Sequence, residues 1–571
     1  MGKHNSTGTM ILINIRRGLC NKRFWIVVGV TTIIYAVIIV LECWFPVQKY
    51  YRGYNTPDWY LDGLAALGSS KVNKILQLEL FHNLFPFVGA LAFAYVILDD
   101  RRHTYSYQII QKKGLSNYFW SDFLTSGLMG GILAVILLLA LIFVAKTGID
   151  YNPFIKDAVH AYQEMFKDAI CAAAECGGRV LVPDGIWLTG PIELLSGVEL
   201  HLSDNALITF SKNKEEYPLI VTDYEGIKRI RTQSMIYADN AKDIAITGKG
   251  TIDGNGHKWR PVKQFKMTKR QWNELLEKSP YVIESSEGGV WVPTKTVFDG
   301  RNAGEYYPDD EEALEKASQY YDFYRPVMVS LRHCSRVLIE DVTLENSPAW
   351  NVHPYFCHDL TVRNAVISNP YYAQNGDGID VDSCERVEIH HCSFNVGDDG
   401  ICIKSGKNKE ARKILGPSKD IYIHNCYVGF SHGGFVIGSE MSRGVSNVLV
   451  EDCTFVNSDV GVRIKSALGR GGIVENIEIR RVNMLNIKEE AVILNMDYVH
   501  NIMDYVVEDE KTGNDEDIPV FRDIRIIDCQ CIGAKKSVVV KDLKAHKPTI
   551  YDVKVVGCNF VGYEGSQLSR D

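Results

Sequence analysis

Seven stretches of this chain obey one template: "RVLIEDVTLEN", "HDLTVRNAVISN", "ERVEIHHCSFNV", "KDIYIHNCYVGF", "SNVLVEDCTFVN", "ENIEIRRVNMLN" and "RDIRIIDCQCIG". Each reads as a polar start, four or five residues of apolar alternation, a corner such as Asn, Asp or His, a small or apolar residue, and a second short strand. Aligned on that small or apolar position, Val342, Ala365, Cys392, Cys426, Cys453, Val482 and Cys529 stand 23, 27, 34, 27, 29 and 47 residues apart. One such unit cannot bury its inner face alone, so the pattern predicts stacked coils of a right-handed parallel β-helix. A propeller would need four strands and a longer period per repeat.

The template also decides the cysteines. Twelve of the fourteen lie beyond residue 170, and several occupy the same template position. A residue recurring at one place in successive strands packs inward, so these cysteines are expected to be buried thiols rather than bridges. No Cys-x-x-Cys pair is present, and neither a structural metal nor a cofactor is expected. The formal charge of −8 leaves no basic excess for nucleic acid.

Upstream, "FKDAICAAAECGG" predicts an amphipathic helix capping the open end of the solenoid, whose terminal coil otherwise exposes apolar surface and unpaired strand groups. Residues 258–325, opening with "KWRPVKQFKMTKRQW", break the rhythm and read as a charged, partly helical insertion between coils.

Residues 1–150 are a different material. The apolar runs 24–41, 84–98 and 123–145 predict about three transmembrane helices; the first and third are long enough for a bilayer of about 30 Å. Arg16, Arg17, Lys22 and Arg23 precede the first run, and Arg101, Arg102, Lys112 and Lys113 lie between the second and third. With all three runs spanning, the positive-inside rule puts both basic clusters in the cytoplasm and residues 151–571 on the extracytoplasmic side of the membrane. In topology and texture this region resembles the first part of an ABC-2 type transporter permease. It carries no nucleotide-binding motif, so transport by this chain alone is not expected.

Inside the repeat, "NGDGID" (375–380) and "GDDGICIKSG" (397–406) bring Asp377, Asp398 and Asp399 within about one coil of each other. Coils stack about 4.8 Å apart. Three carboxylates at that spacing cannot all ionise freely, so one is expected to keep a proton near neutral pH, placing an acid beside a base. That pair is the minimum equipment for hydrolysing a glycosidic bond. His432 in "SHGGFVIGS" follows one to two coils on. Arg463 and Lys465 in "VGVRIKS" share one strand face, and together with Lys404 they suit an anionic substrate.

The ordered set "NGDGID", "GDD", "SHG" and "RIK" over roughly residues 165–571 resembles the polygalacturonases, glycoside hydrolase family 28. The resemblance implies that Asp398 is the general acid, that Asp377 and Asp399 activate water with inversion, that His432 assists the acid, and that Arg463 and Lys465 hold a galacturonate carboxylate. Asn375 and Lys404 are further candidate substrate contacts. The implied substrate is pectic polysaccharide or oligogalacturonide. Gly376 and Ser431 depart from the family's usual Thr and Gly. The family also normally has an extra strand before the capping helix, where this chain has "DYNPFIKDAVHAYQEM" and the apolar runs, so an abbreviated first coil is expected. The insertion resembles that of bacterial exo-acting members and implies a groove closed at one end. Two other readings stand beside this one: a calcium-dependent, pectate lyase-like enzyme, and a membrane-tethered β-helix that binds glycans without catalysis.

Overall fold

The computed structural model describes residues 153–284, 288–303, 312–498, 514–543 and 547–563. The three apolar runs lie outside them, and with them the expected spans, their orientation and the permease likeness. Among the described residues no helix is long and apolar enough to cross a membrane. The chain divides into two units, 1–158 and 159–571, and the repeat lies in the second.

Three parallel sheets of eleven, eleven and ten strands run the length of the repeat. A coil contributes one strand to each. Ser335–Glu340, Thr343–Glu345 and Val352–Tyr355 make one coil, and His358–Arg363, Val366–Ser368 and Ile379–Asp382 make the next. The register stacks like on like: Val337 pairs with Leu360 and Ile339 with Val362, all inside the core. This is the expected parallel β-helix, and right-handed winding is the rule for such parallel crossovers.

The template's corner residue is where the backbone turns. Asp341, Asn364, His391, Asn425, Asp452, Arg481 and Asp528 all have φ between 51° and 65°, the left-handed region. Asn and Asp tolerate that region best because their short polar side chains bond locally. The residue after each corner then points inward: Val342, Ala365, Cys392, Cys426, Cys453, Val482 and Cys529 are all buried. The twelve described cysteines are free thiols, and Cys334, Cys357 and Cys384 form a second buried group of their own.

A helix, Pro153–Ala174, covers the first coil. Phe166 and Ile170 are buried, and Tyr162 and Phe166 meet the Trp187 ring edge-on at 5.5 and 6.4 Å. Each buried apolar side chain contributes about 1.5–3 kcal/mol. Behind the helix the first coil has a strand in every sheet, Gly178–Val182, Gly185–Thr189 and Ile192–Glu193, while the position of the extra strand expected ahead of the helix lies outside the described residues. Pairing to the second coil supplies the hydrogen bonds that make even the two-residue strand stable.

Two excursions leave the coils. Among its described residues the insertion folds into a small antiparallel sheet (Val262–Lys263, Val282–Ile283, Val290–Trp291) and three short α-helices, of which Lys269–Lys278 starts at a Thr268–Gln271 capping box. The other excursion, an antiparallel hairpin of Leu219–Tyr224 and Ile227–Thr232, does not follow from the repeat pattern. Its Ile230 packs with Ala313, Ala317 and Tyr324 of the insertion, so the two excursions share one apolar cluster.

Candidate active site

The site is built on the third sheet, where Ile379 pairs with Ile401, Ile401 with Phe435, and Val436 with Arg463. The loops entering these strands therefore stack as well. The Gly378 amide donates to the Asp399 carbonyl (2.9 Å) and the His432 amide to the Asp398 carbonyl (2.7 Å). The register from Ile379 to Ile401 is 22 residues, so Asp377 stacks in register on Asp399, whereas Asp398 lies 21 residues on, one short of that register. Glycine is required where these loops touch: a Cβ on Gly378 would lie 2.4 Å from the Gly400 carbonyl oxygen.

Asp377, Asp398 and Asp399 converge, with one oxygen from each lying within 4.8 Å of the others. Asp377 and Asp399 are 3% and 1% exposed, whereas Asp398 is half-buried. The buried two are driven apart. Burial, then the charges of Asp380 and Asp398, raise Asp377 well above the usual carboxylate range. Burial acts on Asp399 too, but the Lys465 ammonium, with the Arg463 charge, outweighs it and holds Asp399 at about 2. Lys465 Nζ lies 2.7 Å from Asp399 Oδ2. The cluster thus sets Asp377, drawn toward its neutral form, beside an Asp399 held ionised.

The remaining sequence-derived residues fall around this centre with some changes of partner. Lys465 and Lys404 are engaged within the protein: Lys404 Nζ is 3.0 Å from Glu440 and 3.5 Å from Asp380, and it lies over the Trp350 ring. Asn375 faces two ways. Its amide donates to Asp398 Oδ2 (3.2 Å), and its side-chain oxygen accepts from Arg325 (2.7 Å). His432 Nδ1 is 2.9 Å from Asp459 Oδ2, while Lys488 holds the other Asp459 oxygen at 2.6 Å. Burial and Arg463 lower the His432 pKa, so a neutral ring donates Nδ1–H to Asp459 and leaves Nε2 as an acceptor.

One pocket joins the triad, Asn375, Lys404 and Lys465 to residues that the repeat pattern does not single out: Tyr224, Glu225 and Arg231 from the hairpin, Phe323 and Arg325 from the end of the insertion, and Trp350. Coil arithmetic could have found Asp459, which lies 27 residues after His432, the spacing by which Gly433 pairs with Val460. Asp380 stands inside the "NGDGID" motif. It is fully buried, neither oxygen has a hydrogen-bond partner, and burial, opposed by Lys404, places its pKa at about 7. Nothing in the periodicity points to the hairpin residues, because its strands belong to no coil.

Three converging carboxylates also match the donor type of a hard divalent cation. Within this cluster, however, the Lys465 ammonium already supplies the positive charge to Asp399. The shortest oxygen separations are tighter than the spacing common for inverting carboxyl pairs. They still allow one bridging water, since two hydrogen bonds of about 2.8 Å span such a gap.

The profile of glycosyl hydrolases family 28 matches residues 294–504, a span that includes all four motifs. A "Probable polygalacturonase" of Vitis vinifera is 30% identical over 57% of this chain and 57% of its own length. An "Exo-poly-alpha-D-galacturonosidase" of Dickeya chrysanthemi is 30% identical over 58% of this chain and 53% of its own length. The chain thus spans little more than half the length of these curated relatives. Among solved structures, a hyperthermoactive exopolygalacturonase from Thermotoga maritima superposes with a TM-score of 0.56 at 30% identity, over 70% of this chain and 83% of that one. With its ordered motifs on a parallel β-helix, a carboxylate triad on adjacent coils and this breadth of likeness, the chain belongs to glycosyl hydrolases family 28.

Proposed function

We propose that this domain hydrolyses the α-1,4 bond between galacturonosyl units, with inversion, releasing one sugar at a time from a chain end. The observation that carries the reading is the convergence of the triad within 4.8 Å, with Asp399 paired to Lys465 at 2.7 Å beside a buried Asp377 that burial and like charge draw toward its neutral form. Together they carry one negative charge, enough to orient a bridging water and accept its proton. Asp398, half-buried, protonates the departing oxygen. Arg463 faces the leaving sugar. Single-sugar release is supported by the excursions that meet at the pocket, with Phe323 and Arg325 lining it from the insertion and Tyr224 and Arg231 from the hairpin.

The test is reducing-sugar release from polygalacturonate by the full chain in chelator, with products separated by size and the new anomeric centre followed by proton NMR. Galacturonate alone, released as the β-anomer, with a loss of about 10³-fold in Asp398→Asn, is the expected result. A ladder of oligomers would remove exo action, and an α-anomer would remove inversion. The triad's fitness for a cation keeps a lyase in view; an unsaturated, ultraviolet-absorbing product abolished by chelator would establish it instead.

We further propose that the hydrolase acts outside the cytoplasm, held at a membrane by the apolar runs before residue 150. The lengths of those runs and their basic flanks support this. Digestion of the domain by protease added to intact cells is the expected outcome, and protection would overturn it.

A further inference from the structure

Asp398 is carried by a loop that leans on its neighbour one coil back. Residues 369–378 join Val366–Ser368 to Ile379–Asp382, and residues 396–400 join Ser393–Asn395 to Ile401–Lys404. The two loops touch closely: a Cβ on Gly397 would lie 2.4 Å from the Ala373 carbonyl oxygen and 2.7 Å from that of Pro370. The direction of the Asp398 carboxylate depends on this contact, because its Oδ2 accepts from the Asn375 amide on the first loop at 3.2 Å. Loops are the mobile part of a rigid scaffold, so a contact between two of them fixes a side chain only when something holds them together.

Lys266 crosses that contact. It comes from the insertion, in the turn Gln264–Lys266, and its ammonium donates to one carbonyl on each loop, Tyr371 at 3.2 Å and Gly397 at 2.5 Å. Gly397 is the residue before Asp398. The same ammonium lies 4.9 Å from the centre of the Tyr371 ring. An ammonium has three donors and no acceptor, so it can take two carbonyls at once, and bonds from a charged donor are stronger than those between neutral groups. Burial lowers the Lys266 pKa, while the charges of Asp398 and then Asp459 work to raise it.

The insertion delivers Lys266 from a firm base. Arg260, fully buried, donates to the Ser347 carbonyl and to Asn346 Oδ1, both at 2.7 Å, and so fastens the start of the insertion to a coil. Val262 forms an antiparallel bridge with Ala373 of the first loop. Tyr372 packs into the cluster of Val262, Trp272 and Trp291, which joins that loop to the insertion's sheet and to the helix Lys269–Lys278. The chain on either side of Lys266 is thus anchored independently of the bonds that its ammonium makes.

We propose that Lys266 is a positioning residue for the acid: by clasping the Tyr371 and Gly397 carbonyls it holds the two loops together and keeps the Asp398 carboxylate directed at the departing oxygen. The insertion then sets the geometry of proton delivery as well as one wall of the pocket. This rests on the hydrolase reading, with Asp398 as the acid. A small displacement of a proton donor is costly because transfer needs its oxygen within hydrogen-bond reach of the acceptor.

The test follows the loops separately from turnover, in the full chain, Lys266→Met and Lys266→Arg. In hydrogen exchange read by mass spectrometry, Lys266→Met is expected to exchange about tenfold faster over residues 369–378 and 396–400 and to match the parent in the core strand Val445–Glu451. Lys266→Arg, which keeps the charge and the donors, is expected to stay near the parent. On polygalacturonate, Lys266→Met is expected to lose about 30-fold in kcat with KM changed by less than about twofold, and Lys266→Arg to recover most of the loss. Unchanged exchange at both loops in Lys266→Met, or a loss of kcat in Lys266→Arg equal to that in Lys266→Met, would overturn the clasp. A raised KM at the parental kcat would also overturn it and make Lys266 a substrate contact. Faster loop exchange in Lys266→Met without any cleavage of polygalacturonate by the parent would instead sink the hydrolase reading and leave the clasp standing.

Discussion

Lys465 Nζ and Asp399 Oδ2 lie 2.7 Å apart with both side chains buried, although Lys465 belongs to a strand two coils further on, across the intervening strand Gly433–Ile437. The pair sets which carboxylate of the triad is charged. A lysine that reads from sequence as a substrate contact is first of all the counter-ion of the base.

Replacing Lys465 with Met therefore acts on Asp399 before it acts on substrate. Removing one member of a buried pair costs about 3–5 kcal/mol. Because the folded pKa of Asp399 is depressed, the stability it contributes is full above the ordinary aspartate value of about 3.9 and is lost as pH falls toward about 2. The difference in melting temperature between parent and Lys465→Met should be largest near neutrality and shrink in strong acid. The acid limb of the pH–rate profile should move upward. An unmoved limb would show that Asp399 is not the base.

Asp380 has the opposite sign. Its folded pKa of about 7 means that the folded state holds the proton more tightly than the unfolded chain. Its contribution to stability is complete below about pH 3.9 and is lost as pH rises through 7. Asp380→Asn, which cannot ionise, should match the parent near pH 4 and melt about 5 °C higher at pH 8. Asp377 titrates in the same sense, so the parent's decline should be reduced rather than abolished. Parallel melting curves across that range would refute the assignment.

Asp459 orients His432 at 2.9 Å and is itself anchored by Lys488. Asp459→Asn preserves shape but removes the charge that selects the Nδ1–H form of the ring. Turnover should fall about tenfold or more with KM little changed, and the histidine signal in proton NMR should shift. A change in KM alone would make Asp459 a substrate-binding residue instead.

The hairpin can be released by replacing an uncharged residue. Gly226 has φ of 78° and its Cβ position is filled by Gly406, so Gly226→Ala should lift the tip that carries Tyr224 toward the pocket. Galacturonate binding should weaken by about tenfold or more while the melting of the β-helix changes by less than about 2 °C. Unchanged binding would mean that the tip's seating does not shape the pocket.

Much of this protein was legible in the order of its residues. The coils, the left-handed corners at Asn364 and Asp452, the inward thiols at Cys392 and Cys426, and the triad itself follow from local pattern, because the backbone of a parallel β-helix repeats and each residue's direction is set by its place in the coil. The capping helix was legible for the same reason: one apolar stripe needs one open end to cover.

What tertiary structure decided is everything that depends on registers between distant segments. The one-residue difference between a spacing of 21 and a register of 22 made Asp399, not Asp398, the residue stacked in register on Asp377, while all three carboxylates converge. The ionised state of Asp399 came from Lys465, 66 residues away. The far side of the pocket came from a hairpin at 219–232 meeting an insertion that ends near 325, with Gly226 seated on Gly406 and Arg231 brought to the same pocket as Arg325. No periodicity encodes these contacts, because charge and close packing act through space.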